Sequence, residues 1–136
     1  MTPDLPAVPV TSIGPLTKEI ANAVVRSHKR FFGRGPTRAQ AFFRHNIIVV
    51  IMEASLTEAE RHLAGQGDSG HDAVLEMRLR YEETMRGDLV DAVEALTGCQ
   101  VEAFMTCHHI EPDLAAELFV LDRPVASERI PPLSDR

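Results

Sequence analysis

The sequence predicts an α+β fold of two layers, a four-stranded antiparallel sheet with its helices on one face. Three observations lead there. Two stretches repeat their apolar residues every three or four positions, two others alternate them, and the order along the chain is helix, hairpin, helix, helix, hairpin.

The first helix follows from Leu16, Ile20, Ala23, Val24, Ser27 and Phe31, which form one mostly apolar stripe, with Lys18, Asn22, Arg26 and Lys29 opposite. Thr17 or Ser12 can cap its start, and Gly33 can adopt the left-handed conformation that ends it. Lys29 and Arg30 then lie near the negative end of the helix dipole, and Pro36 forbids continuation. From Arg38 the period drops to two: Ala39, Ala41 and Phe43 alternate with Gln40, Phe42 and Arg44. His45-Asn46 can turn the chain into the β-branched run 47–51, completing a hairpin. That run is apolar on both faces, so it is expected as a central strand, with both faces covered or one packed on another subunit.

A short helix is expected from Leu56, capped by Ser55 or Thr57, with Glu58 and Glu60 in its first turn and an end near Gly65-Gln66-Gly67. Ser69 and Asp72 form an S-x-x-D capping pattern ahead of the main helix, in which Val74, Met77, Tyr81, Met85, Leu89, Ala92, Val93 and Leu96 repeat until Gly98. Gly87 inside it costs about 1 kcal/mol relative to alanine, which predicts close packing or a slight bend there. Glu82-Glu83, Asp88, Asp91 and Glu94 read as an exposed acidic side. The second hairpin alternates Val101, Ala103, Met105 and Cys107 with Glu102, Phe104, Thr106 and His108, turns at Glu111-Pro112-Asp113, and alternates again over 114–121.

Proline marks the edges. Seven of the nine prolines fall in the first or last fifteen residues, which delimits a single domain at 16–122 between flexible Pro-rich tails, 1–15 and 123–136. At 136 residues, 44% hydrophobic and 25% charged, the composition is that of one globular domain. The longest apolar run, 47–52, is far short of the roughly 20 residues of a spanning helix, so no membrane insertion is expected. Residues 1–15 show no basic residue ahead of an apolar stretch, so a secretory signal is not expected and a cytoplasmic location is. Cys99 and Cys107 stand eight apart, matching no zinc or redox spacing, and are expected as free thiols. Charge is split: residues 1–50 carry seven Lys/Arg against Asp4 and Glu19, a net +5, while the remainder carries −11. Such halves bind anions or attract each other, within one molecule or across a dimer.

Taken together, the stretch from Arg26 through Ser-His-Lys-Arg-Phe-Phe-Gly-Arg-Gly to Pro36, the strand Ile-Ile-Val-Val-Ile-Met-Glu ending at Glu53, Leu56-Thr-Glu-Ala-Glu60, and Asp113-Leu-Ala-Ala-Glu-Leu-Phe-Val-Leu121 resemble the bacterial MpsC family over roughly 16–122. The family is named for a Na+-translocating, membrane-potential-generating system. The resemblance implies a small soluble protein associated with a membrane system for potential generation and inorganic-carbon uptake, and it brings no catalytic residues with it. Thr106-Cys-His-His109 departs from the family's Ser-Asp-Asn-His-like stretch, so no role carries over to that loop from the resemblance. A chain without spanning segments cannot itself carry an ion through a core about 30 Å thick, so its part is accessory or regulatory.

Two local constellations carry chemistry. Gly33-Arg34-Gly35-Pro36, flanked by Lys29, Arg30 and Arg38, is the candidate anion-binding loop, since guanidinium forks hold phosphate or carboxylate through paired donors. The same residues also fit an ordinary helix C-cap, and the order of elements is not that of a P-loop. Cys107 and His109 are weak metal candidates on one strand face, with His108, Glu111 and Asp113 nearby, but no second ligand pair has recognisable spacing, so no metal and no cofactor are expected. Nucleophilic catalysis by Cys107 is disfavoured because the neighbouring His108 points away. Nucleic-acid binding is not expected of so acidic a chain, at pI 5.5 and without RNA-module signatures. The expected function is therefore a non-enzymatic accessory or regulatory protein, homodimeric and peripheral to a membrane ion or bicarbonate transport complex. The alternative is a small-anion or nucleotide sensor using the Gly33-Pro36 loop.

Overall fold

A computed structural model describes residues 8–10 and 13–127. A short strand β1 (Val8–Val10) precedes helix α1 (Ile13–Phe32), which leads into the hairpin β2 (Arg38–Arg44) and β3 (Ile47–Glu53). Helices α2 (Glu58–Ala64) and α3 (Asp68–Thr97) follow, then a second hairpin, β4 (Val101–His109) and β5 (Leu114–Leu121), and a last strand β6 (Val125–Ser127). The main sheet is antiparallel in the order β2-β3-β5-β4, so the doubly apolar run is a central strand, as expected. Between the hairpins, β3 and β5 are joined through the buried Asn46, whose carbonyl accepts from Leu121 N–H at 2.8 Å and whose Nδ2 donates to Leu121 O at 3.1 Å.

Alternation sorts the strands into two faces. Ile48, Val50 and Met52 of β3 and Ala115, Phe119 and Leu121 of β5 point inward and pack with Ile20 and Val24 of α1 and Met85, Leu89 and Val93 of α3. This is the core of a two-layer α+β domain. Among the described residues no helix lies over the other face of the sheet, and its residues are half-buried or exposed.

Several local expectations need adjustment. Helix α1 starts three residues before Leu16 and takes in Pro15, whose missing N–H loses nothing in a first turn. Thr17 Oγ1 donates back to Gly14 O at 2.8 Å rather than capping, and Ser12 lies outside the described residues. Val8–Val10 and Val125–Ser127, assigned by proline content to the two tails, pair with each other as parallel strands, while residues 1–7, 11–12 and 128–136 lie outside the described set. Gly33 ends α1 with φ 82°, its N–H bonded to Lys29 O at 2.9 Å, as the sequence predicts. Thr57 caps α2 through a reciprocal capping box with Glu60.

Ser69 and Asp72, by contrast, cap nothing, because α3 begins at Asp68 behind Gly67 with no side-chain cap. The start is set by backbone proximity. A Cβ on Gly70 would lie 2.0 Å from Leu63 O of α2, so only glycine lets the two helices meet this closely. Gly87 is the opposite case: a Cβ there would meet nothing within 4 Å, so close packing does not explain it. Gly87→Ala is therefore expected to stabilise the protein by about 1 kcal/mol, read as a higher urea midpoint with unchanged slope.

Candidate functional site

The buried face of α3 runs Val74, Arg78, Glu82, Met85, Leu89, Val93. Apolar spacing alone turns Met77 and Tyr81 inward and sets Glu82 beside Glu83 on the acidic surface. In the structure Tyr81 is 42% exposed, while Arg78 and Glu82 take the two core positions between Val74 and Met85. Glu83 and Asp91 do remain on the surface. Two charged residues in the core register of one helix need partners, and each has them.

Arg78 donates from Nε to Glu60 Oε2 at 2.7 Å and from Nη2 to Glu60 Oε1 and to Ser55 O at 2.8 Å. Its guanidinium lies over the Phe32 ring, 3.8 Å from the centroid. One side chain thus joins α3 to α2, to the loop after β3 and to the end of α1. Burial pushes the Glu60 carboxyl up, but the hydrogen bonds from Arg78 and Thr57 outweigh it and hold the group below its ordinary value.

One turn further along α3, Glu82 meets His28 of α1 and Glu117 of β5. Glu117 takes an inward position of its strand, between Ala115 and Phe119, and is fully buried. His28 Nε2 lies 2.9 Å from Glu117 Oε2 and 3.7 Å from Glu82 Oε1. Burial, reinforced by the charge and hydrogen bond of Glu117, pushes Glu82 up to about 9. Burial also raises Glu117 to about 7, partly offset by the bond from Glu82. Burial lowers His28 against the attraction of Glu82. At neutral pH Glu82 is thus the protonated partner of Glu117, and His28 is a neutral imidazole whose Nε2 faces Glu117. His28 Nδ1, Glu82 Oε2 and Glu117 Oε1 are buried without hydrogen-bond partners among the described residues.

The cluster is not sealed on every side. Glu82 and Arg78, with Leu75, Leu79, Thr106, Cys107 and His108, line a cleft of about 210 Å³ between α3 and the edge strand β4. His108 faces it from β4, with Nε2 3.4 Å from Asp113 Oδ1. Burial, then the charge of Arg78, lowers His108 against the attraction of Asp113. Asp113 is itself a structural residue, accepting from Leu56 N–H at 3.0 Å and Ser55 N–H at 3.3 Å.

In the predicted anion loop the arginines already have partners within the fold. Arg34 donates to Leu56 O at 3.1 Å, Ala54 O at 3.0 Å and Gly35 O at 3.4 Å, so its fork fastens the loop after β3. Arg30 pairs with Asp88, and Arg38 lies 3.6 Å from Glu53. Gly35 sits against α1, where a Cβ would come within 3.1 Å of Val25 Cγ1, and Gly33 is the helix cap. Lys29 is exposed on α1, beside the surface depression between α1 and α3. The arginines are drawn to separate partners rather than converging on one point. Cys107 and His109 share the outer face of β4, as alternation predicts; Cys107 is a free, exposed thiol and His109 Nδ1 lies 2.8 Å from Pro112 O. Cys99 is free and buried.

The fold and site define a small two-layer α+β domain with an ionisable centre between its helices and its sheet, and among the described residues no helix is long and apolar enough to cross a membrane. The chain belongs to the MpsC family: the family model described as Na+-translocating membrane potential-generating system (MpsC) matches residues 12–123. That match spans α1 through β5 and links the chain to Na+ membrane-potential systems. Comparison with curated proteins gives no match, and neither does comparison with solved structures.

Proposed function

We propose that the chain is a non-enzymatic accessory or regulatory protein of a membrane ion or bicarbonate transport system. It acts as a homodimer paired through the outer face of its sheet and sits peripherally at the cytoplasmic side of the membrane. The observation that carries this reading is the apolar sheet face that no described helix covers. Val49 and Ile51 of β3, Leu118 and Val120 of β5, Phe42 of β2 and Met105 of β4 lie on it, and the registers Phe42↔Val49↔Leu118↔Met105 run straight across all four strands. Phe42 is 52% and Met105 54% exposed. A contiguous apolar patch of this kind marks an interaction surface, and a sheet face can bury its own copy about a two-fold axis, with the two sheets about 10 Å apart. The split of charge is partly used within one molecule, where Ser27 and Arg30 of the basic α1 meet Asp88 of the acidic α3, so the pairing argument rests on the apolar face.

Light scattering at micromolar concentration is expected to give twice the chain mass for the wild type, and the single mass for Phe42→Asp combined with Met105→Asp at unchanged helix content. A monomeric wild type overturns the pairing. Crosslinking in native membranes is expected to recover the chain with an integral ion-transport complex; its absence from the membrane fraction even at low salt overturns the accessory role.

A further inference from the structure

The chemistry at His28, Glu82 and Glu117 goes beyond a role in docking. Their ligand atoms, one imidazole nitrogen and one oxygen from each carboxylate, all lie within 4.8 Å of one another, and all three residues are buried. They come from three elements, α1, α3 and β5, so the convergence is made by the tertiary fold and not by one helix surface. The side chains of Glu82 and Glu117 are 5% and 0% exposed, yet each keeps one oxygen without a partner among the described residues. Unpaired carboxylate oxygens at such depth are costly unless something positive reaches them.

We propose that His28, Glu82 and Glu117 form a binding site for a divalent transition-metal ion of the Zn2+ type. One nitrogen and two carboxylates suit such an ion, whereas Ca2+, Mg2+ and alkali ions take all-oxygen shells. Two carboxylates and a neutral imidazole balance a dication, leaving the interior uncharged, while Arg78 next door is already matched by Glu60. A metal takes the imidazole nitrogen and the carboxylates in their unprotonated form, so binding is expected to weaken as pH falls. Metal–ligand distances of about 2.0–2.2 Å put tetrahedral ligand atoms roughly 3.4 Å apart, so the 2.9 Å contact of His28 with Glu117 opens slightly while the wider spacings close. The cleft lined by Glu82 and His108 supplies an approach for the ion and room for a water ligand.

The test uses the full chain stripped with chelator and then freed of it. Titration with Zn2+ in a calorimeter is expected to show one site per chain, and Zn2+ is expected to raise the melting temperature. Glu82→Gln and His28→Gln are each expected to weaken binding at least tenfold, by the magnitude usual for loss of a ligand or its support. Cys107→Ser combined with His109→Gln is expected to leave binding unchanged. Zinc-edge absorption of the wild-type complex, which does not depend on any variant folding, is expected to show a nitrogen and oxygen shell without sulfur. A shell containing sulfur, binding abolished by the Cys107 and His109 pair, preference for Ca2+ over Zn2+, or the absence of stoichiometric binding would each overturn the assignment.

Discussion

Replacing Arg78 with alanine is expected to destabilise the protein by about 3–5 kcal/mol, the range for removing one partner of a buried ion pair. The reason lies in what remains. Glu60 is buried and would keep its charge with only the Thr57 N–H and backbone support, Ser55 O would lose its donor, and the Phe32 ring would lose the cation above it. A small domain has total stability of only about 5–15 kcal/mol, so the variant should sit near its folding limit. Arg78→Lys keeps the charge but not the planar fork, and is expected to recover only part of the loss. Arg78→Met combined with Glu60→Gln removes both charges together and should be less destabilising than Arg78→Ala alone. Urea unfolding monitored by circular dichroism measures all three. A loss under about 1 kcal/mol for Arg78→Ala would show that the hub does not hold α2 to α3.

The second large effect concerns pH. In the metal-free protein Glu117 and Glu82 have folded values near 7 and 9, above their ordinary 4.5. The folded chain therefore holds more protons than the unfolded one in that window. The stability these groups contribute is fully present below about pH 4.5 and is lost as pH rises through the folded values. His28 works in the opposite sense, because its folded value is lowered: its penalty is felt in acid and vanishes above its ordinary 6.5. Above neutrality only the glutamates remain. Between pH 6.5 and 9 the wild type should lose on the order of 3 kcal/mol. Glu117→Gln cannot ionise and no longer raises Glu82 by its charge, while burial still does, so it should lose less than the wild type and become relatively more stable as pH rises. Denaturation series in the presence of chelator across this range provide the check. Parallel pH profiles for the two proteins would contradict the reading.

Much of the architecture was legible because the physics behind it is local. The run 47–51 had to be central, since an edge strand apolar on both faces would aggregate, and Gly33 had to end α1, since Pro36 follows it. His45-Asn46 turned where a two-residue loop was expected, with His45 at φ 58°. The site was not legible for the same reason. Val74, Arg78, Glu82, Met85 and Leu89 keep helical spacing as well as the apolar series through Met77 and Tyr81 does, but a rule that seeks apolar residues selects the second. Glu117 carried the one signal that could have corrected it, a carboxylate at an inward position of an alternating strand between Ala115 and Phe119. His28 likewise interrupts the buried side of α1 next to Ser27. Each was visible singly. Their meeting depends on how α1 and α3 lie across β5, which is a long-range property. In the arginine loop the residue types suit an anion, and the sequence gives no sign that the carbonyls of Ala54 and Leu56, remote along the chain, accept from Arg34.

The central claim is that α3 turns a carboxyl inward to share a proton with a second carboxyl beneath a neutral histidine. Carbon-detected NMR of the metal-free protein, with glutamate side-chain carboxyls labelled, follows this directly. Two glutamates are expected to titrate far above the rest, near 7 and near 9, and Glu117→Gln should remove the first and lower the second. If every glutamate titrates within about one unit of 4.3, the buried cluster does not exist as described.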